Sequence, residues 1–288
     1  MKRLLSLLLS FAFFIIFPCD ALAQDSSSGT EDIITTSYTP PHRQSSTYTI
    51  IDPDGRSLVS GNLRSSFPYS AVARLVIHYS GDCNCSTSYG TGFMVSSNCM
   101  LTAAHCVVCE HGNEMDTMYI YFGYSSATSI AFSTQATFSD NTIYYPPQYV
   151  ANLNTSTELS YDYAYIILDD NPGDEVGWFG LIAASNSTLN NKAAIVLGYV
   201  NTNLWTNSNY IANTSSTRLY YQIDTDGGQS GSPVYWRTGS NYYVAGIHTH
   251  GIQEDSSDPL RHTHNSGWRV TSSFINTLDS LGYVEKIS

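Results

Sequence analysis

Residues 163–173 read Tyr-Ala-Tyr-Ile-Ile-Leu-Asp-Asp-Asn-Pro-Gly, a short apolar run that ends in a cluster of turn-forming residues. Pro has no backbone N–H to donate to a sheet ladder, and Asp, Asn and Gly favour turns, so a short strand is predicted to stop at Leu168. The same pattern recurs in residues 71–77, 118–122, 193–197 and 242–247. Many short strands separated by turns predict an all-β sandwich or barrel, with a boundary between two halves near residues 169–173.

The composition agrees with a strand-rich globular chain. Only 12% of the 288 residues are charged, and Ser, Thr, Asn, Gly and 22 Tyr replace the Ala, Glu, Lys and Leu typical of helical proteins. A hydrophobic content of 42% is too high for a disordered chain. The net charge of −12, together with the lack of any Lys or Arg run, argues against a nucleic-acid partner.

One helix is predicted, close to the C-terminus. Thr271 or Ser272 can cap its first turn, and Gly282 can end it. Between them, apolar residues repeat at spacings of three on one helix face: Ile275, Leu278 and Leu281.

The N-terminal segment has the pattern of a secretory signal. Lys2 and Arg3 precede an apolar run over residues 4–17, and Ala21-Leu22-Ala23 supplies the small residues that signal peptidase accepts. We therefore predict a signal peptide over residues 1–23 and secretion to an extracellular or periplasmic location. The run is short for a membrane span and no later segment approaches 18 apolar residues, so no stable membrane association is expected. Residues 24–49, rich in Ser, Thr and Pro, are predicted to be a solvated propeptide or disordered leader.

Three segments carry the residue types that acyl transfer requires, in the chain order His, Asp, Ser. They are residues 101–106 (Leu-Thr-Ala-Ala-His-Cys), 161–166 (Tyr-Asp-Tyr-Ala-Tyr-Ile) and 226–234 (Asp-Gly-Gly-Gln-Ser-Gly-Ser-Pro-Val). A serine hydroxyl is a weak nucleophile near neutral pH, so it needs an imidazole to take its proton and a carboxylate to fix the imidazole's tautomer. Glycines on both sides of Ser230 let the backbone turn sharply and aim N–H groups at a developing oxyanion.

These segments resemble the trypsin/chymotrypsin-like serine peptidases. Further motifs resemble the glutamyl endopeptidase (V8-like) branch: residues 162–164 (Asp-Tyr-Ala), 176–180 (Val-Gly-Trp-Phe-Gly), 224–225 (Asp-Thr) and 246–249 (Gly-Ile-His-Thr). The resemblance covers about residues 50–280. It implies two six-stranded antiparallel β-barrels packed face to face, with the active site between them. The expected domains are an N-terminal barrel over residues 50–170 and a C-terminal barrel with the C-terminal helix over residues 171–288.

The resemblance also implies the roles of individual residues. Ser230 corresponds to the nucleophile, His105 to the general base and then acid, and Asp162 to the carboxylate that orients it. The backbone N–H groups of Gly228 and Ser230 correspond to the oxyanion hole. It implies protein or peptide substrates, no cofactor and no metal, and a monomeric enzyme with a mature N-terminus near residues 49–51.

Substrate specificity is expected to depend on a few residues near the nucleophile. In the V8-like branch an acidic side chain is bound by residues that match Thr225 and His248, and Thr249 is assigned to the same pocket. Asp224 stands where trypsin-like enzymes carry the carboxylate that binds Lys or Arg, but in a strand its side chain would point away from that of Thr225. We therefore predict cleavage after Glu, and less well after Asp, with another specificity as the alternative.

Five cysteines follow the signal peptide, and secretion favours disulfides. They are Cys83, Cys85, Cys99, Cys106 and Cys109. The expected pairs are Cys106 with Cys83 or Cys85, and Cys99 with Cys109, with one cysteine left over. The sequence alone does not decide the connectivity.

Two other classes of function are weighed against the peptidase. A zinc site could use Cys106-x-x-Cys109 beside His105, but this spacing is a weak signal and an exported thiol is usually oxidised. The pairs His248-x-His250 and His262-x-His264 could also bind zinc, but His-x-His alone fixes too few ligands. A binding protein that keeps the fold without activity would normally have lost part of the triad, and this triad is complete.

Overall fold

The computed structural model describes residues 32–38, 55–79, 87–125, 129–253 and 256–287, all within one compact unit over residues 31–288. The predicted signal peptide, Cys83, Cys85 and the predicted mature N-terminus near residues 49–51 lie outside the described residues. No helix in the described part is long and apolar enough to cross a membrane.

Strands dominate the described chain. In chain order they are β1 Ile33–Ile34, β2 Ser57–Leu58, β3 Val72–His78, β4 Thr87–Met94, β5 Cys99–Thr102, β6 Thr117–Phe122, β7 Phe132–Ala136, β8 Thr142–Tyr144, β9 Ala164–Ile167, β10 Gly180–Ala183, β11 Ala193–Val200, β12 Asn203–Thr214, β13 Arg218–Tyr221, β14 Pro233–Thr238, β15 Asn241–His250 and β16 Asn265–Arg269. The α-helices are short: α1 Pro147–Ala151, α2 Gly173–Val176, α3 Asn186–Leu189 and α4 Ser272–Ser280. Single 3-10 turns cover Tyr69–Ala71, Ala104–Cys106, Glu158–Ser160 and Pro259–His262.

The strands form two sheets. The first sheet has the order β7-β6-β3-β4-β5-β9-β8, and its neighbours pair antiparallel. The second sheet closes on itself, because β15, β14, β11, β12, β13 and β16 follow one another and β16 pairs back with β15. The predicted all-β, two-barrel fold is confirmed, with the second barrel closed by six strands and the first a curled sheet that follows an open path in the described residues.

The strands arise where the apolar runs predict them. In β6, buried and more exposed side chains alternate, as expected when one face of a strand packs on a core. Phe179, just before β10, lies between the sheets: its ring centroid is 6.0 Å from that of Phe93 in β4 and 5.1 Å from that of Tyr235 in β14. All three side chains are fully buried, and removing each from water stabilises the folded state by about 1.5–3 kcal/mol.

The predicted C-terminal helix is present as α4. The hydroxyl of Thr271 caps it by accepting a hydrogen bond of 3.3 Å from the Phe274 N–H. Ile275 and Leu278 are buried, as the spacing predicts, whereas Leu281 lies just beyond the helix and is 40% exposed. The chain turns there before it reaches Gly282, which has a φ of +75°.

Part of the predicted leader is not solvated. Residues 32–38 contain β1, which pairs antiparallel with β10 of the second sheet. Thr35 is fully buried beside it. Ile33 and Ile34 form too short an apolar stretch to be recognised as a strand, and their partners in β10 lie almost 150 residues further along the chain.

Candidate active site

The first sheet brings His105 and Asp162 together. His105 lies in the 3-10 turn after β5, and Asp162 lies in the loop before β9. Because β5 and β9 pair with Thr102 opposite Ala164, the two residues meet although 57 positions separate them. His105 Nδ1 lies 2.8 Å from Asp162 Oδ2, and the His105 backbone N–H donates to Oδ1 at 3.1 Å.

Burial and charge shift the pKa of both groups. Asp162 is fully buried, which alone would raise the pKa of its carboxyl, but the charge and hydrogen bonds of His105 outweigh burial and lower it. Burial alone would lower the pKa of His105, and the charge and hydrogen bond of Asp162, helped by the charge of Glu158, raise it instead. The carboxylate therefore stays ionised and the imidazole is made a stronger base.

The loop that carries Asp162 is held by the second sheet. The indole N–H of Trp268 in β16 donates to the Ser160 carbonyl at 3.1 Å. The ring of Tyr163, next to Asp162, packs on the Trp268 ring with centroids 3.9 Å apart. The carboxylate is thus positioned by both sheets.

Ser230 lies on a glycine-rich turn between β13 and β14 of the second sheet. Gly228 has a φ of +97° and Gly231 a φ of +87°, a backbone region that L side chains rarely adopt. A Cβ on Gly228 would lie 2.8 Å from the Tyr199 carbonyl oxygen. Both glycines are therefore needed for the backbone to make this turn.

Thr91 of β4 ties this turn to the first sheet. The Thr91 backbone N–H donates to the Ser230 carbonyl at 2.8 Å, and its hydroxyl donates to the Gly228 carbonyl, also at 2.8 Å. The Sγ atom of Cys106, the residue after His105, lies 3.8 Å from the same Ser230 carbonyl. The turn bearing the serine is therefore next to the turn bearing the histidine, and Ser230 is partly exposed there.

The turn also leaves two N–H groups available. The Gln229 N–H donates to the Asp226 carbonyl at 3.1 Å, and the Ser232 N–H donates to the Gln229 carbonyl at 3.0 Å. Within the described residues, neither the Gly228 nor the Ser230 N–H donates to a protein acceptor. These are the donors that the resemblance assigns to an oxyanion hole.

Of the residues predicted to bind the substrate side chain, His248 and Thr249 lie in β15 of the second sheet, and Thr225 lies in the loop after β13. His248 in β15 is 3% exposed, and its Nδ1 lies 2.8 Å from the Tyr221 hydroxyl. The hydroxyl of Thr225 accepts a hydrogen bond of 2.9 Å from the Asn265 side-chain amide. Thr249 is buried, and its hydroxyl donates to the Ser266 carbonyl at 3.5 Å.

Asp224, the residue before Thr225, is exposed to solvent. A Cβ on Gly55 would come within 3.1 Å of its carboxylate. The segment around Asp224 is an extended loop and not a strand.

Burial strongly lowers the pKa of His248 to about 3, with smaller contributions from His250 and His105 in the same direction. His248 is therefore neutral near neutral pH. Tyr221 is fully buried as well, which raises the pKa of its phenol, so its hydroxyl keeps its proton.

Sequence reasoning missed three residues of this region: Tyr221, Asn265 and His250. His250 was considered only as half of a metal pair with His248, since alternation on a strand would place both on one face. A β-bulge between His248 and His250 breaks that alternation. His250 Nδ1 instead lies 3.6 Å from Asp162 Oδ2, buried and without a hydrogen-bond partner in the described structure.

The second histidine pair does not join the first. His262 Nε2 lies 2.7 Å from the Ser256 carbonyl, and His264 Nδ1 lies 3.1 Å from the Leu260 carbonyl. In the described part of the chain, the His/Cys/Asp/Glu group with metal-like spacing is His105, Asp162 and His250, whose ligand atoms lie within 4.8 Å of one another.

The expected disulfide pairs are wrong for two cysteines. Cys99 and Cys106 are free, buried thiols, so neither the Cys106 pair nor the Cys99–Cys109 pair forms. Cys99 is buried in the core from β5, and Cys106 packs between Gly90 and the Ser230 carbonyl. Burial raises the pKa of both thiols. Cys109 is disulfide-bonded.

Two β-sheets with His105, Asp162 and the Ser230 turn at their junction define the architecture of a chymotrypsin-like serine peptidase. A family model described as Trypsin matches residues 65–265, well over half of the chain. The chain therefore belongs to the trypsin family, which makes it a peptidase whose substrates are proteins or peptides.

Known relatives are bacterial proteases. An "Extracellular metalloprotease" of Bacillus subtilis is 32% identical over 239 residues, covering 80% of this chain and 68% of the relative. A "Glutamyl endopeptidase" of Bacillus licheniformis is 29% identical over 241 residues, covering 80% and 67%.

Solved structures show the same fold. A Glu endopeptidase structure superimposes with a TM-score of 0.61 at 26% identity, covering 81% of this chain and 99% of that one. The protease Anisep from Arthrobacter nicotinovorans superimposes with a TM-score of 0.57 at 17% identity, covering 75% and 97%.

Proposed function

We propose that this chain is a secreted serine endopeptidase that cuts peptide bonds after Glu and, less well, after Asp. The observation that carries the proposal is the 2.8 Å hydrogen bond between His105 Nδ1 and the buried carboxylate of Asp162, beside the glycine-flanked turn of Ser230. Secretion is supported by the signal-like N-terminus and by the extracellular relative of Bacillus subtilis.

The proposed mechanism follows from these positions. With Nδ1–H bonded to Asp162, the other ring nitrogen of His105 accepts the Ser230 hydroxyl proton as the oxygen attacks the substrate carbonyl. The N–H groups of Gly228 and Ser230 stabilise the oxyanion that forms. His105 then gives the proton to the leaving amine, and water hydrolyses the acyl-enzyme with the same histidine as base.

The pocket supports specificity for Glu through a neutral histidine. A Tyr221 hydroxyl that donates to His248 Nδ1 leaves the ring proton on Nε2, where it can be donated to a substrate carboxylate. A hydrogen bond to an ionised acceptor is stronger than one to a neutral amide, so Glu is favoured over Gln. The hydroxyl of Thr225, which accepts a hydrogen bond from Asn265, is the second donor. Asp is one methylene shorter and reaches these donors less well.

A metal-dependent mechanism is the second candidate. It is favoured by the cluster of His105, Asp162 and His250, and by the name of the Bacillus subtilis relative. The residues do not fit a zinc ion as they stand. His105 Nδ1 and Asp162 Oδ2 are 2.8 Å apart, whereas two ligands on a tetrahedral zinc at about 2.0 Å each lie about 3.3 Å apart.

One experiment tests the proposal and separates the two candidates. The secreted protein is assayed on peptides that differ only in Glu, Asp, Gln or Lys before the cleaved bond, and is treated with a serine-directed acylating reagent or a chelator. We expect cleavage after Glu, inactivation by the acylating reagent and no effect of the chelator. Ser230→Ala should lower turnover by about a thousandfold or more and abolish labelling.

Ser240→Ala, on the exposed turn before β15, is the matched control and should keep both activity and labelling. Labelling of Ser230→Ala would refute the nucleophile, and cuts after Lys but not Glu would refute the pocket. Inactivation by the chelator but not by the acylating reagent would favour the metal-dependent mechanism.

A further inference from the structure

A strand of the predicted leader is built into the second sheet. Residues 32–38 precede the predicted mature N-terminus near residues 49–51, yet Ile33 pairs with Ala183 and Ile34 with Ile182 of β10. A cut anywhere between Tyr38 and Gly55 would separate this strand covalently from the rest of the peptidase. The question is whether it then leaves.

The hydrogen bonds on the β10 side are extensive. The Thr35 N–H donates to the Leu181 carbonyl at 2.8 Å, and the Leu181 N–H donates to the Thr35 hydroxyl at 2.6 Å. Tyr38 and Trp178 exchange two backbone hydrogen bonds of 2.9 and 3.0 Å. The rings of these last two residues also pack with centroids 4.4 Å apart.

The opposite side of the strand is paired as well. The Thr36 N–H donates to the Glu285 carbonyl, and the Ile287 N–H donates to the Ile34 carbonyl, both at 3.1 Å. The C-terminal segment after α4 therefore covers the second edge of residues 32–38. A segment paired on both edges is an interior strand, whose removal would expose backbone groups of two neighbours at once.

The sheet is also shaped to receive this strand. Thr35 is fully buried, Ile33 packs against the main core and Ile34 packs against the core of the second barrel. A Cβ on Gly180 would lie 2.6 Å from the Thr35 carbonyl oxygen, so the close approach of the two strands requires glycine at that position.

The strand lies away from the proposed active site. β10 pairs with Tyr243 and Val244 near the start of β15, whereas His248 lies at its other end. Four to five residues of strand separate them, about 13–17 Å. Residues 32–38 therefore complete the sheet that carries the pocket without covering the cleft.

We propose that residues 32–38 are a permanent strand of the active peptidase, so that cleavage between Tyr38 and Gly55 leaves them bound non-covalently. The mature enzyme is then a two-chain molecule, in which the leader segment protects the edge of β10. Its binding partner is the groove between β10 and residues 285–287 of the same molecule.

The test uses the full chain carrying Ser230→Ala, so that it does not depend on the peptidase's own activity. A recognition sequence for a site-specific protease replaces residues 42–47, and the secreted protein is cut there. Size-exclusion chromatography followed by mass spectrometry then shows whether the leader peptide travels with the large chain. We expect it to co-elute in native buffer and to separate only in guanidinium chloride. Separation in native buffer, with the large chain still folded, would overturn the proposal.

Two variants connect retention to this strand. Thr35→Val deprives the Leu181 N–H of its acceptor, and Gly180→Ala places a methyl group against the strand backbone. Each should speed release of the peptide about tenfold or more. Ser37→Ala is the matched control, because the Ser37 side chain makes no hydrogen bond within the described residues, and its release should equal that of the parent. Thr35→Val changes only the leader, so it remains informative if Gly180→Ala fails to fold. Retention that neither variant weakens would overturn the proposal.

Discussion

His105 and His248 are the same side chain in two opposite environments. His105, on the first sheet, contacts the buried carboxylate of Asp162, which raises the pKa of its imidazole. His248, inside the second sheet, contacts the phenol of Tyr221, and burial lowers the pKa of its imidazole to about 3. One ring is prepared to accept a proton and the other to remain neutral. Both rings are held through Nδ1, and the charged carboxylate beside His105 outweighs burial, whereas no carboxylate contacts His248 Nδ1 in the described structure and burial prevails there.

The difference has a structural origin. His105 lies in a turn, and its side chain is 29% exposed. His248 lies within a strand, opposite Gly267 of β16. A Cβ on Gly267 would lie 3.0 Å from the Tyr221 hydroxyl, so this glycine leaves the room that the phenol needs to reach the imidazole.

The largest expected effect comes from the first environment. Asp162→Asn keeps the shape of the side chain but removes its charge, so His105 loses both its tautomer control and the stabilisation of its protonated form. We expect turnover to fall by about 10⁴-fold, measured as kcat on a peptide with Glu before the cleaved bond. Asp224→Asn, with an exposed carboxylate, is the control and should keep turnover. A fall of less than tenfold in Asp162→Asn would show that His105 does not depend on this carboxylate.

The second environment should affect selectivity more than turnover. His248→Ala removes the proposed donor to the substrate carboxylate, so the preference for Glu over Gln, compared as kcat/KM, should fall about 10- to 100-fold. Tyr221→Phe removes only the group that orients this donor and should reduce the preference about two- to tenfold. Cleavage after an apolar residue is the internal reference. Equal losses on Glu and apolar peptides would contradict the assigned role of His248.

The smallest expected effect is on pH dependence. The pKa of His105 is raised above its ordinary value of 6.5, so kcat/KM should fall with acid at a pH above 6.5. The negative charge of Glu158 contributes to this rise. Glu158→Gln should therefore lower the pKa of His105 and move the acid limb to lower pH. Glu175→Gln, at an exposed position on α2, is the control and should leave the acid limb of the pH profile unchanged. A shift of that limb to higher pH in Glu158→Gln would contradict the proposed effect of Glu158 on the pKa of His105.

Sequence motifs point to the proposed catalytic residues but not to the residues around them. His105, Asp162 and Ser230 are predicted because each lies in a short motif whose residue types have a chemical reason. Tyr221 and Asn265 carry no such motif, and their contacts depend on which strands become neighbours. Their pairing partners lie about 40 residues away in sequence.

Local patterns also failed where the backbone departs from regular geometry. The direction of His250 depends on a bulge that strand alternation does not reveal. The expected disulfides of Cys106 with Cys83 or Cys85 and of Cys99 with Cys109 depended on secretion, which favours disulfides in general. Cys99 and Cys106 are instead free thiols, buried in the core. The strand at residues 33–34 is too short to give a periodic signal.

Thr91 links the Ser230 turn of the second sheet to the first sheet. This one residue of the first sheet holds the carbonyls of both Gly228 and Ser230, which belong to the second. A hinge motion that opened the gap between the halves would break both bonds together and release the turn from its required backbone angles. The turn of Ser230, the proposed nucleophile, therefore keeps these two hydrogen bonds only while the two sheets are in contact.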